Sequence, residues 1–305
     1  MNFILLATIT IELLVVSVAE SAKNPLLPNR TVCGIQDVVQ DFIIGGSDAT
    51  INEYPWMVNL EYQDIIYPER KRELLCGGAL INERYVLTAA HCLNVDDKKL
   101  VSVRLGECNI ETSPDCFYKG QEKKCAPVEL SVPIEDAIQH EAYDPDVLGK
   151  FDDIALLRLD RNITYSDSIK PICLPTKRKL INTSYEGKKL MIAGWGSTTA
   201  HGNRNSIVKQ KLQIPVVDKD SCKQIKFYRV LRDSQICAGG EKGKDSCRGD
   251  SGGPLMAEHL KKRKSNWFAV GILSFGDETC GEQDSPAVYT RVAHYVDWIT
   301  SKMLP

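Results

Sequence analysis

A serine flanked by glycines is the first candidate for chemistry in this chain. Ser251 lies within residues 249–254, which read Gly-Asp-Ser-Gly-Gly-Pro. A nucleophilic serine needs an exposed hydroxyl and nearby backbone N–H groups that can receive an oxyanion. Glycines on both sides allow a tight backbone and the close approach of a substrate. The alternative is an ordinary turn, so this motif alone does not establish catalysis.

A histidine and an acid supply the partners that such a serine needs. His91 ends an apolar run beside Cys92, and Asp153 opens the apolar run 153–157. A histidine with a partner can serve as a general base, and a carboxylate buried against its imidazole fixes the tautomer. Taken singly, the histidine could be structural and the acid could merely start a strand. Together, the three residues predict nucleophilic catalysis by the serine with the histidine as its base.

Short strands must position these residues. Apolar or alternating runs separated by turns recur from Ile43 onward, a spacing that predicts an all-β sandwich or barrel. Residues 161–176, with two prolines, are predicted to connect two β halves. One helix is predicted near the C-terminus, where apolar residues recur at helical spacing from Val292 to Met303. The predicted strands are 56–62, 77–81, 85–89, 100–105, 154–159, 190–195, 211–217, 267–274 and 287–292.

Composition excludes several classes of protein. The 305 residues include 38 Lys and Arg against 40 Asp and Glu, a net charge of −2, whereas a nucleic-acid binder needs a cationic excess. The 43% hydrophobic and 26% charged content is typical of a folded globular chain. Eleven cysteines without a Cys-x-x-Cys pair favour disulfides in an oxidising compartment over zinc ribbons or thioredoxin chemistry.

The N-terminus predicts secretion. Residues 3–19 are apolar except for Glu12 and end in a small-x-small site, so residues 1–19 are interpreted as a signal peptide. A membrane anchor is the alternative, which Glu12 and the short length disfavour. No later run is long enough to span a bilayer, so we expect no membrane association. In a secreted protein, the sequons at Asn29, Asn162 and Asn182 are glycosylation candidates.

Two basic runs, 70–72 and 261–264, admit two interpretations. Short charge runs are usually solvated loop tips, which is the interpretation preferred here. The alternative is an exosite for heparin or for a protein partner.

Five ordered motifs resemble those of the trypsin/chymotrypsin-like serine proteases, over essentially the whole chain from Ile43. They are residues 43–46, 88–92, 153–157, 194–196 and 245–254. The order His91, Asp153, Ser251 is that of chymotrypsin-type enzymes and differs from the orders in subtilisins and α/β-hydrolases, which also disfavours an esterase. The resemblance implies two six-stranded antiparallel β-barrels packed together with a C-terminal α-helix, and an active site between the barrels.

The resemblance also assigns roles around the serine. The N–H groups of Gly249 and Ser251 match the oxyanion hole, and Asp245 matches the acid at the base of the substrate pocket, which implies cleavage after Arg or Lys. The other residues that match the pocket are Ser246, Ser274, Gly276 and Ala287. Because Ala287 stands where glycine is usual, its methyl group is expected to narrow the pocket.

Within the family, residues 106–116 and 171–176 look most like arthropod haemolymph proteases of the easter and prophenoloxidase-activating type. Those relatives usually carry a six-cysteine clip domain, but only Cys33 precedes Ile43 here. Residues 20–42 are therefore interpreted as a short propeptide without a clip domain, and residues 43–305 as the protease domain. The implied partners are protein substrates, including a cascade zymogen, together with an activating protease and protease inhibitors.

Disulfides follow from the same resemblance. It leaves Cys108 unpaired, and an odd cysteine in a secreted protein is a free thiol or an intermolecular bridge. The implied pairs are Cys33–Cys173, Cys76–Cys92, Cys116–Cys125, Cys222–Cys237 and Cys247–Cys280.

No cofactor is required by the resemblance. Residues 105–110 resemble the start of the family's calcium loop, which makes Glu107 a candidate calcium ligand, but an ordinary surface acid is the interpretation preferred here.

Activation is expected at the Phe42–Ile43 bond, where the new ammonium group of Ile43 would pair with Asp250. Relatives are cut after Arg or Lys, so Phe42 predicts a chymotrypsin-like activator. The alternative function is a secreted protease homologue, or a dormant zymogen, that acts mainly as a binding partner or cofactor.

Overall fold

The computed structural model describes residues 24–36, 46–199, 204–225, 230–261, 264–277 and 279–305. The strands are β1 (Ser47–Asp48), β2 (Met57–Asp64), β3 (Glu73–Leu80), β4 (Tyr85–Thr88), β5 (Lys98–Leu105), β6 (Cys116–Lys119), β7 (Glu122–Cys125), β8 (Leu130–Gln139), β9 (Ala155–Leu159), β10 (Lys189–Gly194), β11 (Gln210–Val217), β12 (Gln235–Gly239), β13 (Pro254–Lys261), β14 (Lys264–Phe275) and β15 (Pro286–Arg291). The helices are α1 (Arg178–Ile181), α2 (Lys219–Lys223) and α3 (Val296–Lys302), with 3₁₀ turns at Ala90–Leu93 and Val292–His294.

The strands between residues 57 and 159 that surround the first core form a closed antiparallel barrel. Its strands are ordered β2-β3-β4-β9-β8-β5, and β5 pairs back with β2. Alternate residues of β2, namely Val58, Leu60 and Tyr62, are fully buried, as expected for strands whose inner face lines a filled barrel. Closure leaves no unpaired strand edge, and the predicted strands of this half are all present.

A second barrel follows the connector at residues 161–176. Its strands are ordered β11-β10-β13-β14-β15-β12, and β12 pairs back with β11, while β1 adds to the outer edge of β11. The fold class predicted from the sequence is therefore confirmed. The C-terminal helix begins later than its apolar spacing suggests, because Val292–His294 forms a 3₁₀ turn before α3.

Aromatic side chains hold the two barrels against each other. Trp56 precedes β2, whereas Trp267 lies in β14, and both are buried. Tyr54 packs edge-on against both, with ring centroids 6.0 Å from Trp56 and 5.5 Å from Trp267. Such pairs contribute about 0.5–1.5 kcal/mol each beyond area burial. The cluster fixes how the barrels face one another, and therefore where loops from both meet.

The segment 24–36, interpreted from the sequence as part of the propeptide, lies on both barrels. Its Gly34 N–H donates to Pro171 O at 2.7 Å, and Trp267 N–H donates to Gly34 O at 2.9 Å. Gly34 has φ +65°, and a Cβ there would lie 2.3 Å from Trp267 O, so only glycine fits this close approach. The predicted signal peptide and the residues Phe42 and Ile43 lie outside the described residues.

Disulfides in the structure are the same pairs that the resemblance implies. Cys33–Cys173 ties the 24–36 segment to the inter-barrel connector. The others are Cys76–Cys92, Cys116–Cys125, Cys222–Cys237 and Cys247–Cys280. Cys108 is a free, buried thiol.

Candidate active site

His91 and Asp153 come together because the strands that carry them pair. His91 lies in the 3₁₀ turn just after β4, and Asp153 comes two residues before β9, in a β4–β9 ladder where Thr88 opposes Ala155. His91 Nδ1 lies 2.8 Å from Asp153 Oδ2, and the backbone N–H of His91 donates to Asp153 Oδ1 at 2.9 Å. This geometry directs the Nδ1–H of the imidazole to the carboxylate and leaves Nε2 as the basic nitrogen.

The carboxylate of Asp153 is also held from the second barrel. Asp153 is fully buried, so its charge needs several hydrogen-bond donors. Ser274, at the end of β14, donates its hydroxyl to Asp153 Oδ2, and Thr290 of β15 donates to the Asp153 carbonyl at 2.8 Å. The resemblance assigns Ser274 only to the substrate pocket, and the sequence does not predict the bond from Thr290. No local pattern signals these contacts, because the partners are more than a hundred residues away from Asp153.

Ser251 lies in a turn that packs against the end of β4. Gly77 N–H donates to Ser251 O at 2.7 Å, and Gly252 N–H donates to Leu273 O at 2.9 Å. Gly252 has φ +78°, and a Cβ there would lie 2.3 Å from Thr88 Oγ1 and 3.1 Å from Cys92 Sγ. The glycine after the serine thus lets the turn reach the segment that carries His91.

Among the described residues, no hydrogen bond joins Ser251 Oγ to His91 Nε2. Instead, His91 Nε2 lies 3.6 Å from Cys92 Sγ. Hydrogen bonds between such a serine and histidine are often long without substrate and tighten when it binds.

Asp250 explains the Gly-Trp-Gly motif at residues 194–196. Its Oδ1 accepts the N–H of Gly196 at 2.9 Å, and its Oδ2 accepts the N–H of Cys247 at 3.1 Å. A Cβ at Gly194 or at Gly196 would lie 2.2 Å from a carboxylate oxygen of Asp250, so both positions must be glycine. Burial raises the pKa of Asp250 to about 6. An ammonium group brought to this carboxylate would favour its ionised form.

Asp245 lies in a confined site beside β12. It accepts the N–H of Ser246 at 2.8 Å, and a Cβ at Gly239 would lie 2.8 Å from its Oδ1. Burial, with a smaller effect from the charge of Asp250, raises the pKa of Asp245 to about 7. A desolvated carboxylate without a cation is a good receptor for a guanidinium or ammonium group.

Two of the other residues predicted to line the pocket, Ser246 and Ala287, lie near this carboxylate. Ser246 Oγ accepts the hydroxyl of Tyr289 at 3.0 Å. Ala287, in β15, is 2% exposed, and its Cβ lies 3.3 Å from where a Cβ of Gly276 would stand. Ala287 thus faces Gly276 across a narrow gap, where its methyl group takes up space.

Glu107 is buried, so the preferred interpretation of it as an ordinary surface acid is wrong. Its Oε1 accepts the N–H of Cys108 at 2.9 Å, and its Oε2 lies 3.3 Å from Arg104. Burial, and then the charge of Asp115, raises the pKa of Glu107 to about 7. Carboxylate oxygens gathered here suit a hard cation, but each already has protein donors. Calcium binding at Glu107 stays a prediction.

Among the described residues, the one cluster of three His, Cys, Asp or Glu groups with ligand atoms close together consists of Cys76, His91 and Cys92. These two cysteines form a disulfide and offer no thiolate, so the cluster does not constitute a metal site.

The glycosylation candidates predicted from the sequence lie on the surface of the protein. The sequon residues Asn29, Asn162 and Asn182 are all exposed, and their glycosylation stays a prediction. Among the described residues, the helices are too short to cross a membrane.

Comparison with known proteins agrees with this geometry. The trypsin family model matches residues 43–299. CLIP domain-containing serine protease HP8 of Bombyx mori is 42% identical over 94% of this chain and 76% of its own length. Spaetzle-processing enzyme of Drosophila melanogaster is 40% identical over 93% of this chain and 71% of its own. The crystal structure of the Drosophila Grass clip serine protease of the Toll pathway has a TM-score of 0.78 and 38% identity, covering 91% of this chain and 76% of that one. With this match over most of its length, the chain belongs to the trypsin family and is a serine endopeptidase.

Proposed function

We propose that this protease is a secreted zymogen whose activated form cleaves proteins after Arg or Lys, with Ser251 as nucleophile, His91 as base and Asp153 as its orienting acid. The observation that carries the proposal is the contact of half-buried His91 with buried Asp153 at 2.8 Å, on the segment against which the turn of Ser251 packs through Gly252. His91 Nε2 takes the hydroxyl proton as Ser251 Oγ attacks the carbonyl carbon, and then gives it to the leaving amine. The N–H groups of Gly249 and Ser251 receive the oxyanion, and water then cleaves the acyl-enzyme.

Active-site titration tests this function against the alternative of a non-cleaving homologue. The activated protein is treated with a fluorophosphonate, and the modified peptide is identified by mass spectrometry. One mole of label per mole of protein, on Ser251, with parallel loss of peptide hydrolysis, is the result that we expect. Lack of labelling in a protein with a confirmed Ile43 N-terminus would favour a role as a binding partner.

The protein substrates are proposed to be components of a proteolytic cascade. The match covers 76% of Phenoloxidase-activating factor 3 of Holotrichia diomphalia and 71% of Spaetzle-processing enzyme, relatives whose names denote action on other proteins of a pathway. An activating protease and protease inhibitors are the further partners proposed. If the protein instead persists uncut, it acts as a dormant zymogen.

The preference for a cationic side chain should depend on pH through Asp245. Its pKa of about 7 means that the carboxylate is largely neutral below pH 7 and charged above it. A group with a raised pKa gains its charge only as pH rises through that value, so attraction for arginine should increase in the same direction. The ratio of kcat/KM for an arginine substrate to that for its neutral citrulline analogue should rise about tenfold between pH 6 and pH 8.

Taking the ratio cancels the titration of His91, because both substrates use the same base. The control is Asp245→Asn, for which the ratio should be low and independent of pH. If this ratio did not change with pH in the unmodified enzyme, Asp245 would not be the group that binds the cationic side chain of the substrate.

Replacing Ala287 with glycine should raise kcat/KM for arginine substrates. In Ala287→Gly, loss of the methyl group widens the gap opposite Gly276, so kcat/KM for an arginine substrate should rise about tenfold, and less for the slimmer lysine. Stability should fall by about 0.5–1 kcal/mol. Ala257→Gly, at a buried alanine of β13, is the matched control and should show the stability loss without the kinetic gain. Equal kinetics in both variants would mean that Ala287 does not limit the pocket.

A further inference from the structure

The hairpin between β2 and β3 ends in consecutive apolar side chains that face solvent. Ile65 is 62% exposed, Ile66 is 61% exposed and Tyr67 is 46% exposed. Scattered exposed apolar residues need no explanation, but three in succession at one tip form a contiguous patch. Turns usually carry polar residues, so this composition calls for a function.

The backbone of this tip is fixed by hydrogen bonds, so its exposure is part of the folded structure. Asp64 Oδ1 accepts the N–H groups of Ile66 and Tyr67 at 2.9 and 2.8 Å. The side-chain amide of Gln63 donates to the carbonyls of Pro68 and Arg70 at 2.6 and 3.0 Å. A tip held from both sides presents its side chains in a preset arrangement, which lowers the entropy cost of binding.

Positive charge adjoins the apolar residues. Arg70, Lys71 and Arg72 are exposed. Arg72 already donates to Glu61, Ser102 and Ser131, so Arg70 and Lys71 carry the charge offered to a partner. The guanidinium of Arg70 lies 4.0 Å from the ring centroid of Tyr67. Arg70 approaches Asp64 only to 3.8 Å, so most of its hydrogen-bonding capacity faces solvent. Tyrosine and arginine are the side chains most enriched among residues that dominate binding energy. We call residues 65–72 the hairpin patch.

The hairpin patch lies within reach of a substrate held at Ser251. From Arg72, β3 runs to Gly77, whose N–H donates to Ser251 O at 2.7 Å. Five residues of extended strand span about 17 Å. A segment six to ten residues away from the cleaved bond could therefore contact both places.

We propose that the hairpin patch is an exosite that binds an acidic segment containing apolar side chains, on the same protein that is cleaved at Ser251. This proposal rests on the function proposed above, since it concerns the protein substrate of that site. Acidic side chains of the partner meet Arg70 and Lys71, and its apolar side chains cover Ile65, Ile66 and Tyr67. The preferred sequence-based interpretation, a solvated loop tip, does not account for these three apolar residues.

A lipid surface is a less suitable occupant, because acidic side chains surround the tip. Glu69 lies within the patch, and the exposed Asp97 adjoins it, with its carbonyl accepting the N–H of Ile65 at 3.0 Å. Both carboxylates would be repelled by the anionic lipids that basic residues attract. A peptide segment can instead place its charges between them.

Binding is measured first, with a protein that cannot cleave. Ser251→Ala protein is titrated into a fluorescent twelve-residue peptide of glutamate, phenylalanine and isoleucine, and anisotropy is followed. Saturable binding should weaken at least tenfold in Tyr67→Ser/Arg70→Glu/Lys71→Glu. The matched control is Leu260→Ser/Lys261→Glu/Lys264→Glu, at the β13–β14 tip, where Leu260 is exposed beside the other basic run. This control should bind normally.

Three results would overturn the proposal: no saturable binding, equal binding of a peptide with lysine in place of glutamate, or equal weakening by both triple variants. Phosphatidylserine vesicles and heparin are tested in parallel. Binding to either one, without binding to the acidic peptide, would show a membrane or a polysaccharide site instead.

Cleavage is measured second, with the activated enzyme. A substrate that carries the acidic peptide eight residues from an arginine site should be cut at least tenfold faster than the same site without it, because tethering raises the local concentration. The patch variant should lose this gain and still hydrolyse a short arginine peptide at the normal rate. If no arginine substrate is cut, the proposed function fails, but the binding experiment still decides the role of the patch.

Discussion

Replacing Ser251 with alanine is expected to lower kcat for an arginine peptide by about 10⁵- to 10⁶-fold, because the acyl-enzyme can no longer form. The backbone of Ser251 makes the contact that holds its turn, through Gly77 N–H, and alanine preserves it. The melting temperature should therefore stay within about one degree of the starting value, since no buried contact is lost. Circular dichroism and single-turnover kinetics on the same sample check both expectations. Retention of normal turnover by this variant would show that another residue is the nucleophile.

His91→Ala should have a similar effect on kcat, and combining it with Ser251→Ala should add little. Residues that act as one unit show this non-additivity. Two losses that multiplied instead would indicate that the two side chains act independently, which is inconsistent with His91 as the base for Ser251.

Asp153→Asn should differ from both, because it affects stability as well as rate. The carboxylate accepts hydrogen bonds from His91 N, His91 Nδ1 and Ser274 Oγ, and an amide cannot accept all of them. We expect a loss of about 10⁴-fold in kcat, together with a lower melting temperature.

Cleavage of the Phe42–Ile43 bond is expected to raise the activity of the purified proenzyme about 10²- to 10³-fold, through a new ion pair at Asp250. Asp250 already accepts the N–H groups of Gly196 and Cys247, so an ammonium group adds the opposite charge that its buried carboxylate lacks. Chymotrypsin should produce this activation, and trypsin should not, because the residue immediately before Ile43 is Phe42 and not Arg or Lys. N-terminal sequencing identifies the bond, and turnover of an arginine substrate reports the gain.

Asp250→Asn is the matched control for activation. Chymotrypsin should cut it at the same bond, but little activity should follow, because an amide does not pair with an ammonium group. On gels, both cut proteins should separate into two chains only after reduction of Cys33–Cys173. Efficient activation by trypsin, or full activity of the uncut chain, would contradict the assignment of Phe42 and Asp250.

The sequence could predict the candidate site only as far as its motifs are local. Ser251 and Asp250 lie within one short run, and Gly252 is required by the turn itself, so residue types suffice there. The bonds from Ser274 and Thr290 to Asp153 could not be predicted, because they depend on how two separately closed barrels pack. Burial of Glu107 was missed for the same reason, since a lone acid in sequence carries no sign of what covers it.

Most strands with long buried runs were predicted, although β12 and β13 were not, and the exposed strands were missed. β8 is mostly exposed and contains Pro133, features that argue against a strand in a single sequence. The β6–β7 hairpin is also largely exposed, and its ends are joined by Cys116–Cys125. Two-stranded hairpins of this kind are marginal without a covalent link, so their pattern is weak.

The hydrogen bonds that Asp153 receives from Ser274 and Thr290 have a consequence for biosynthesis. A ribosome delivers His91 and Asp153 in the first half of the chain and completes Ser251, Ser274 and Thr290 only near the end. Until then, the first barrel holds a base without a nucleophile, and the carboxylate and the backbone carbonyl of Asp153 each lack one donor from the second barrel. The nascent chain therefore cannot attack neighbouring proteins while it is being made. Because the residues of the site come from early and late parts of the chain, the site can assemble only when nearly the whole chain has been translated.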